Sequence, residues 1–239
     1  MAIKTELVEY TDNGVTLEGY LAWDDAGAAS MPGVMISHAW AGRSEFECGK
    51  ARLLAELGYA GFAHDLYGKG VLGGGTAENA KLMQPFLDDR GMLQTRLAAV
   101  LETLRGRPMV DASRIAAMGY CFGGLCVLDL ARSGGDVQGV VSLHGLLGAP
   151  GNIAGAKITA KVLALHGWDD PRATPAQVDS FAKEMTEAGA DWQLHAYGNT
   201  LHAFTNPAAD DLNLGVRYNA AADRRSWQST RNFLAELFG

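Results

Sequence analysis

The residue best placed to act as a nucleophile is Cys121, in the run Gly119-Tyr120-Cys121-Phe122-Gly123-Gly124. The apolar stretch 114–120 reads as a strand and 122–132 as a helix, so the cysteine falls on a strand-to-helix turn. A nucleophile on such a sharp turn needs small neighbours, because larger side chains collide across it. The N-terminus of the following helix favours thiolate over thiol. The alternative is a buried structural cysteine beside a glycine-rich turn, and the strand–turn–helix context argues against it.

A thiolate nucleophile needs a base, and the base needs an acid to orient it. Asp169 and Asp170 lie in His166-Gly167-Trp168-Asp169-Asp170-Pro171, just after the apolar strand 161–166. His202 lies in Gly198-Asn199-Thr200-Leu201-His202-Ala203-Phe204, after the strand 191–197. Nucleophile, acid and histidine thus follow in the α/β-hydrolase order. Their loops are expected on one edge of a parallel sheet, where ligands bind. Asp170 is the expected acid, because Gly-x-x-Asp-Pro puts it at the usual position of this loop, with Asp169 as the alternative. His38, His64, His144 and His166 fall at or near strand ends and are expected to satisfy local backbone groups, while His195 lies inside a strand. His38 is retained as a substrate-binding candidate because its loop should line the site.

The oxyanion hole is expected to use the backbone N–H of Phe122 and that of Trp40, in the loop His38-Ala39-Trp40-Ala41-Gly42, with Ala39 as the alternative. Tyr67, Tyr120, Trp168 and Phe204, together with Trp40, lie in or beside these loops. They would form an aromatic, mainly apolar pocket for substrate; core packing is the other reading. Glu45 and Glu47 open a helix, where acids favour the positive dipole end.

The elements that must position these residues alternate between strands and helices. Residues 6–10 and 15–22 flank Asp12-Asn13-Gly14 and read as a hairpin. Strands follow at 33–37, 59–64, 114–120, 139–144, 161–166 and 191–197. Helices are expected at 45–57, 88–105, 122–132, 175–188 and within 217–237, and a long loop over 65–77. Leu93, Leu97, Val100, Leu101 and Leu104 supply the helical spacing of the second of these. The pattern predicts an α/β-hydrolase fold: a mainly parallel central sheet of about eight strands flanked by helices, in a single domain over 1–239.

Composition limits the partners. With 48% hydrophobic and 20% charged residues, the 239-residue chain can bury one large core. A formal net charge of -7 argues against nucleic acid or an anionic membrane surface, which call for a basic face. No window approaches the roughly 18 apolar residues of a membrane helix, and Met1-Ala2-Ile3-Lys4-Thr5-Glu6 does not read as a signal peptide. Cys48, Cys121 and Cys126 form neither a disulfide framework nor a Cys-x-x-Cys metal pair. A cytoplasmic protein, monomeric or homodimeric, is expected.

Over nearly its whole length the chain resembles the dienelactone hydrolase family. The resemblance is carried by residues 119–124, Asp65-Leu66-Tyr67, residues 166–171 and His202-Ala203-Phe204. It implies a Cys121–His202–Asp170 triad that hydrolyses a carboxylic ester or lactone through an acyl-thioester, with no metal and no organic cofactor. Two departures bear on substrate. The best-known members hold a glutamate in the loop after the third strand, where this chain reads His38-Ala39-Trp40. They also carry an arginine for the substrate carboxylate shortly after the histidine, where this chain reads Thr205-Asn206-Pro207. In the stretch 68–90 the only cations past Lys69 are Lys81 and Arg90. These departures speak against an anionic dienelactone as substrate. An amidotransferase-like cysteine hydrolase is disfavoured because no glutamate follows His202 at the second position. A non-catalytic binding relative is disfavoured because all three triad residues are present.

Overall fold

The structure is a computed structural model in which residues 2–153 and 155–239 are described. β1 (Ile3–Asp12) and β2 (Val15–Asp24) form the expected antiparallel hairpin, with Asp12 opposite Val15. Asn13 and Gly14 turn it at φ +48° and +77°, the left-handed pair that a two-residue hairpin loop requires. The chain continues through β3 (Met31–Ser37), α1 (Glu45–Glu56), β4 (Ala60–Ala63), α2 (Thr76–Asp88), α3 (Arg90–Arg105) and β5 (Val110–Tyr120). Then come α4 (Phe122–Arg132), β6 (Gly139–Leu143), β7 (Lys161–Gly167), α5 (Pro175–Glu187) and β8 (Trp192–Tyr197). A short pair, β9 (Asp210–Asp211) and β10 (Val216–Arg217), precedes α6 (Ala220–Phe238). The main sheet has eight strands in the order β1-β2-β4-β3-β5-β6-β7-β8. β2 meets β4 antiparallel, while β3–β4, β6–β7 and β7–β8 are parallel. This is the mixed α/β architecture that the alternation of elements predicts. β3 and β6 are buried at every residue, which is why both read as mainly apolar, non-alternating runs.

The backbone forms two compact units, Met1–Met118 and Gly119–Gly239, and the boundary falls within β5. In the first unit α1 lies against β4. A Cβ on Gly61 would come within 2.6 Å of the Ala51 carbonyl oxygen, so only glycine lets strand and helix approach this closely. A buried arginine, Arg96 of α3, bonds Asp12 at the end of β1 and the Leu66 carbonyl, both at 2.5 Å. In the second unit α4 is buried along its whole length and packs on β6. Arg132 at its end is fully buried and bonds both oxygens of Glu184, Asp129 and the carbonyls of Leu147 and Gly148.

Two elements differ from the expected layout. α2 occupies the stretch before residue 88, and β9–β10 forms a short second sheet. α2 carries Pro85 inside it, lacks a side-chain N-cap and buries only Asn79 and Phe86, so it shows little of the apolar stripe that marks a helix. No helix of the described residues is long and apolar enough to cross a membrane.

Candidate active site

Cys121 is the residue between β5 and α4, and its backbone adopts φ +57°, ψ −114°. A non-glycine residue held in this region is strained, as an elbow that lifts a nucleophile off a strand end must be. Crowding accounts for the small neighbours. A Cβ on Gly119 would stand 2.1 Å from the Gly123 carbonyl oxygen, so the residue two before the cysteine must be glycine. The Cys121 N–H donates to the Leu143 carbonyl at 3.0 Å and to His144 Nδ1 at 3.1 Å. Cys121 as a residue is half-buried, whereas Cys48 and Cys126 are buried.

The acid and histidine loops leave the ends of β7 and β8 and are bound to each other. The N–H groups of Trp168 and Asp169 donate to the carbonyls of Tyr197 and Thr200, at 2.9 and 3.0 Å. Gly167 permits this approach, since a Cβ there would meet the Thr200 carbonyl oxygen at 2.5 Å. The backbone of His202 is pinned by the strand that follows: its N–H donates to Gly215 and its carbonyl accepts from Arg217. Asp170 is buried, and its Oδ2 lies 2.7 Å from His202 Nδ1. A carboxylate can only accept, so Nδ1 carries the proton and Nε2 is left to face the reaction. Asp169, the alternative acid, is exposed.

His202 Nε2 is buried with no oxygen or nitrogen partner, and the Cys121 sulfur is the group that acts on it. Burial works to lower the imidazole, but the Cys121 charge and the hydrogen bonds His202 makes with Asp170 and Cys121 outweigh it, and His202 is pushed up to about 9. For the thiol, burial works upward; His202, the Phe122 N–H and the charge of Arg172 overcome it and hold Cys121 below the ordinary thiol range. Both shifts run toward a thiolate–imidazolium pair. The Phe122 amide acts on the sulfur and favours its charged form.

In the first unit His38 is fully buried and both ring nitrogens are engaged: Nδ1–H donates to the Ala39 carbonyl at 2.6 Å, and Nε2 accepts from the Leu66 N–H at 3.2 Å. It shapes its loop and offers no polar atom to a substrate, a correction to its placement among substrate contacts. Ser37 bonds His64, and burial drives His64 down to about 3. The Ala39 N–H, the alternative oxyanion donor, points to Glu47 Oε1 at 3.3 Å. Glu47 is buried and closes a capping box with Ser44, so its role exceeds that of a surface acid at a helix dipole. The Tyr67 hydroxyl donates to the Trp40 carbonyl at 3.0 Å, and Tyr67 stacks edge-on to His38.

The aromatic residues divide by exposure. Tyr120 and Phe204 are fully buried and flank the His144 ring, at 5.9 and 5.1 Å between centroids, which makes them core at this position. Trp168 is 44% exposed, while Trp40 and Tyr67 are half-buried. Spacing alone does not reveal Thr205 or Arg172, and it shows His144 only as a strand-end histidine. Glu47 had a readable signal, the Ser-x-x-Glu of its capping box. Among the described residues no cluster of histidine, cysteine or acids could hold a metal ion.

A model of the dienelactone hydrolase family matches residues 17–238. Among solved structures, the chain is similar to a dienelactone hydrolase-like promiscuous phosphotriesterase from metagenomic libraries, with a TM-score of 0.95, 34% identity and complete coverage of both chains. Its sequence is 26% identical to "Probable 2-oxo-3-(5-oxofuran-2-ylidene)propanoate lactonase" of Bradyrhizobium, over 98% of this chain and 96% of the relative. It is 24% identical to the protein usf of Aquifex pyrophilus, over 97% of this chain and 98% of the relative.

Proposed function

Because the chain belongs to the dienelactone hydrolase family and is an ester or lactone hydrolase, we propose that it works by covalent catalysis at Cys121, with His202 and Asp170 completing the triad. The Cys121 thiolate adds to the substrate carbonyl carbon, and the Phe122 N–H stabilises the oxyanion that forms. A second amide is assigned to Trp40, from its place in the loop after β3. The His202 imidazolium gives its proton to the departing alkoxide, leaving an acyl-thioester on Cys121. The neutral imidazole then takes a proton from water, hydroxide attacks the thioester, and the acid leaves as the thiolate and imidazolium are restored. Asp170 holds the ring in the tautomer both steps need.

One observation carries this reading. A cysteine on a strained elbow faces an imidazole whose other nitrogen is bonded at 2.7 Å to a buried carboxylate. The test is a panel of small aryl esters, lactones, thioesters and a phosphotriester, run on the wild-type protein and on Cys121→Ala. Turnover should vanish in the variant, and mass spectrometry should find an acyl group on Cys121 of the wild type. Undiminished ester turnover in Cys121→Ala would remove the mechanism.

Trp168, exposed in the loop that carries Asp170, offers aromatic surface beside the triad, which favours a neutral, flat acyl or leaving group. The charge of Arg172 also reaches Cys121 and helps hold the thiol down. Its side chain also donates to the Leu214 carbonyl at 3.3 Å.

A further inference from the structure

Of the buried imidazoles beside the triad, His144 and His166, the first bonds the backbone of Cys121. His144 follows β6 directly and sits at φ +39°, a left-handed conformation that a histidine adopts at a cost. Its Nδ1 lies 3.1 Å from the Cys121 N–H and its Nε2 lies 2.8 Å from Thr205 Oγ1. An amide can only donate, so Nδ1 carries no proton; Nε2 carries it and donates to the threonine. Its ring stands edge-on to His202 with centroids 5.2 Å apart, and Phe204 and Tyr120 flank it. The titratable groups facing it include the Cys121 thiol, the His202 imidazole and the Tyr120 phenol.

We propose that His144 is a positioning residue. It ties the backbone of Cys121 to the loop that carries His202, through the chain Cys121 N–H to His144 to Thr205, three residues beyond His202. The proposal deepens the catalytic reading above and takes from it Cys121 as nucleophile and His202 as its base. A neutral ring is required, because a proton on Nδ1 would face the Cys121 N–H and put a second positive charge against the His202 imidazolium. One end of His144 thus supports the strained turn, which also leans on the Leu143 carbonyl, and the other end sets the height of the histidine loop. Losing that link should let sulfur and imidazole drift apart, which weakens the charge pair and misplaces the attacking atom.

Three variants test this. His144→Leu removes both hydrogen bonds, and Thr205→Val removes only the far one. His144→Asn keeps an acceptor near the Nδ1 position in a residue that tolerates φ above zero. The readouts are the pH midpoint for iodoacetamide alkylation of Cys121, kcat and KM on a small aryl ester, and thermal unfolding; Cys121→Ala supplies the alkylation background from Cys48 and Cys126. His144→Leu should raise the midpoint by roughly half a pH unit or more. It should also lower kcat by roughly 10- to 100-fold with KM little changed. Thr205→Val should shift both in the same sense by less, and His144→Asn should recover most of the loss. Wild-type midpoint and kcat in His144→Leu, or an asparagine variant as impaired as the leucine one, would overturn the proposal. If His144→Leu does not fold, an unshifted midpoint in Thr205→Val does the same. Alkylation reads the placement of the thiol whether or not the protein hydrolyses an ester. Retained turnover in Cys121→Ala would therefore remove the triad mechanism while the midpoint shift still judged His144.

Discussion

At the scale of single residues, the proposed thiolate rests on three groups opposing the burial of Cys121. His202 leads them, and the Phe122 amide and Arg172 follow. Replacing His202 with glutamine should therefore let burial dominate and carry the alkylation midpoint of Cys121 above the ordinary thiol range, with turnover reduced by about 1000-fold or more. A midpoint that stays low in His202→Gln would show that the helix terminus alone holds the thiolate. Arg172→Gln should move the midpoint the same way by less. The pH dependence of kcat/KM follows from the same shifts. Activity should fall toward acid as the thiolate of a lowered thiol is protonated, and toward base as His202 loses its proton through about 9. Both apparent values belong to the pair and not to either residue alone. A single basic limb rising at the ordinary thiol value would contradict an ion pair. Cys121, Asp170 and His202 were legible in the sequence because their chain order and loop positions are set by the backbone that presents them. His144 was legible only as a strand-end histidine that meets local backbone; which N–H it meets was not, because every residue type possesses one. Arg172 acts through space on a sulfur 51 positions away in the chain, and no spacing rule reaches it.

Among the elements, the turn between β5 and α4 is the one whose sequence tolerates least. Gly119→Ala forces a Cβ into the Gly123 carbonyl, and backbone cannot swing aside as a side chain can. A loss of about 3 kcal/mol is expected in urea unfolding, together with loss of Cys121 alkylation at neutral pH. Gly198→Ala is the control: nothing lies within 4 Å of its added Cβ, and its stability should stay within about 0.5 kcal/mol of wild type. Equal effects from the two substitutions would show that the elbow is not crowded. The same contrast explains which elements could be read in advance. α4 and β6 are buried throughout, so their apolar runs were plain, and the first hairpin was marked by Asn13-Gly14. α2 buries only Asn79 and Phe86 and contains a proline, so nothing in its residue order outweighed the reading of a loop. β9 and β10 are two residues each, shorter than any alternation can reveal.

For the molecule as a whole, each compact unit is organised around one buried arginine. In Met1–Met118 it is Arg96, with side chain 5% exposed and its partner Asp12 8%. In Gly119–Gly239 it is Arg132, which joins α4 to α5 and to the chain leaving β6 through Asp129, Glu184 and two carbonyls. Desolvating such charges costs nearly as much as their attraction returns, so the pairs specify arrangement more than they add net stability. Breaking one is a different matter, because the carboxylate stays buried after its cation is gone. Arg96→Met and Arg132→Met should each lose about 3–5 kcal/mol in urea unfolding. Adding Asp12→Asn to the first, or Asp129→Asn to the second, should return part of that loss, since the stranded charge is then removed as well. Neither arginine touches the triad, so the folded fraction of each variant should keep the wild-type midpoint for Cys121 alkylation. Single variants within about 1 kcal/mol of wild type would show these clusters to be solvated enough to stand alone. A shifted midpoint at full folding would instead mean that Arg132, at the far end of the helix that begins beside Cys121, helps set the geometry of the elbow.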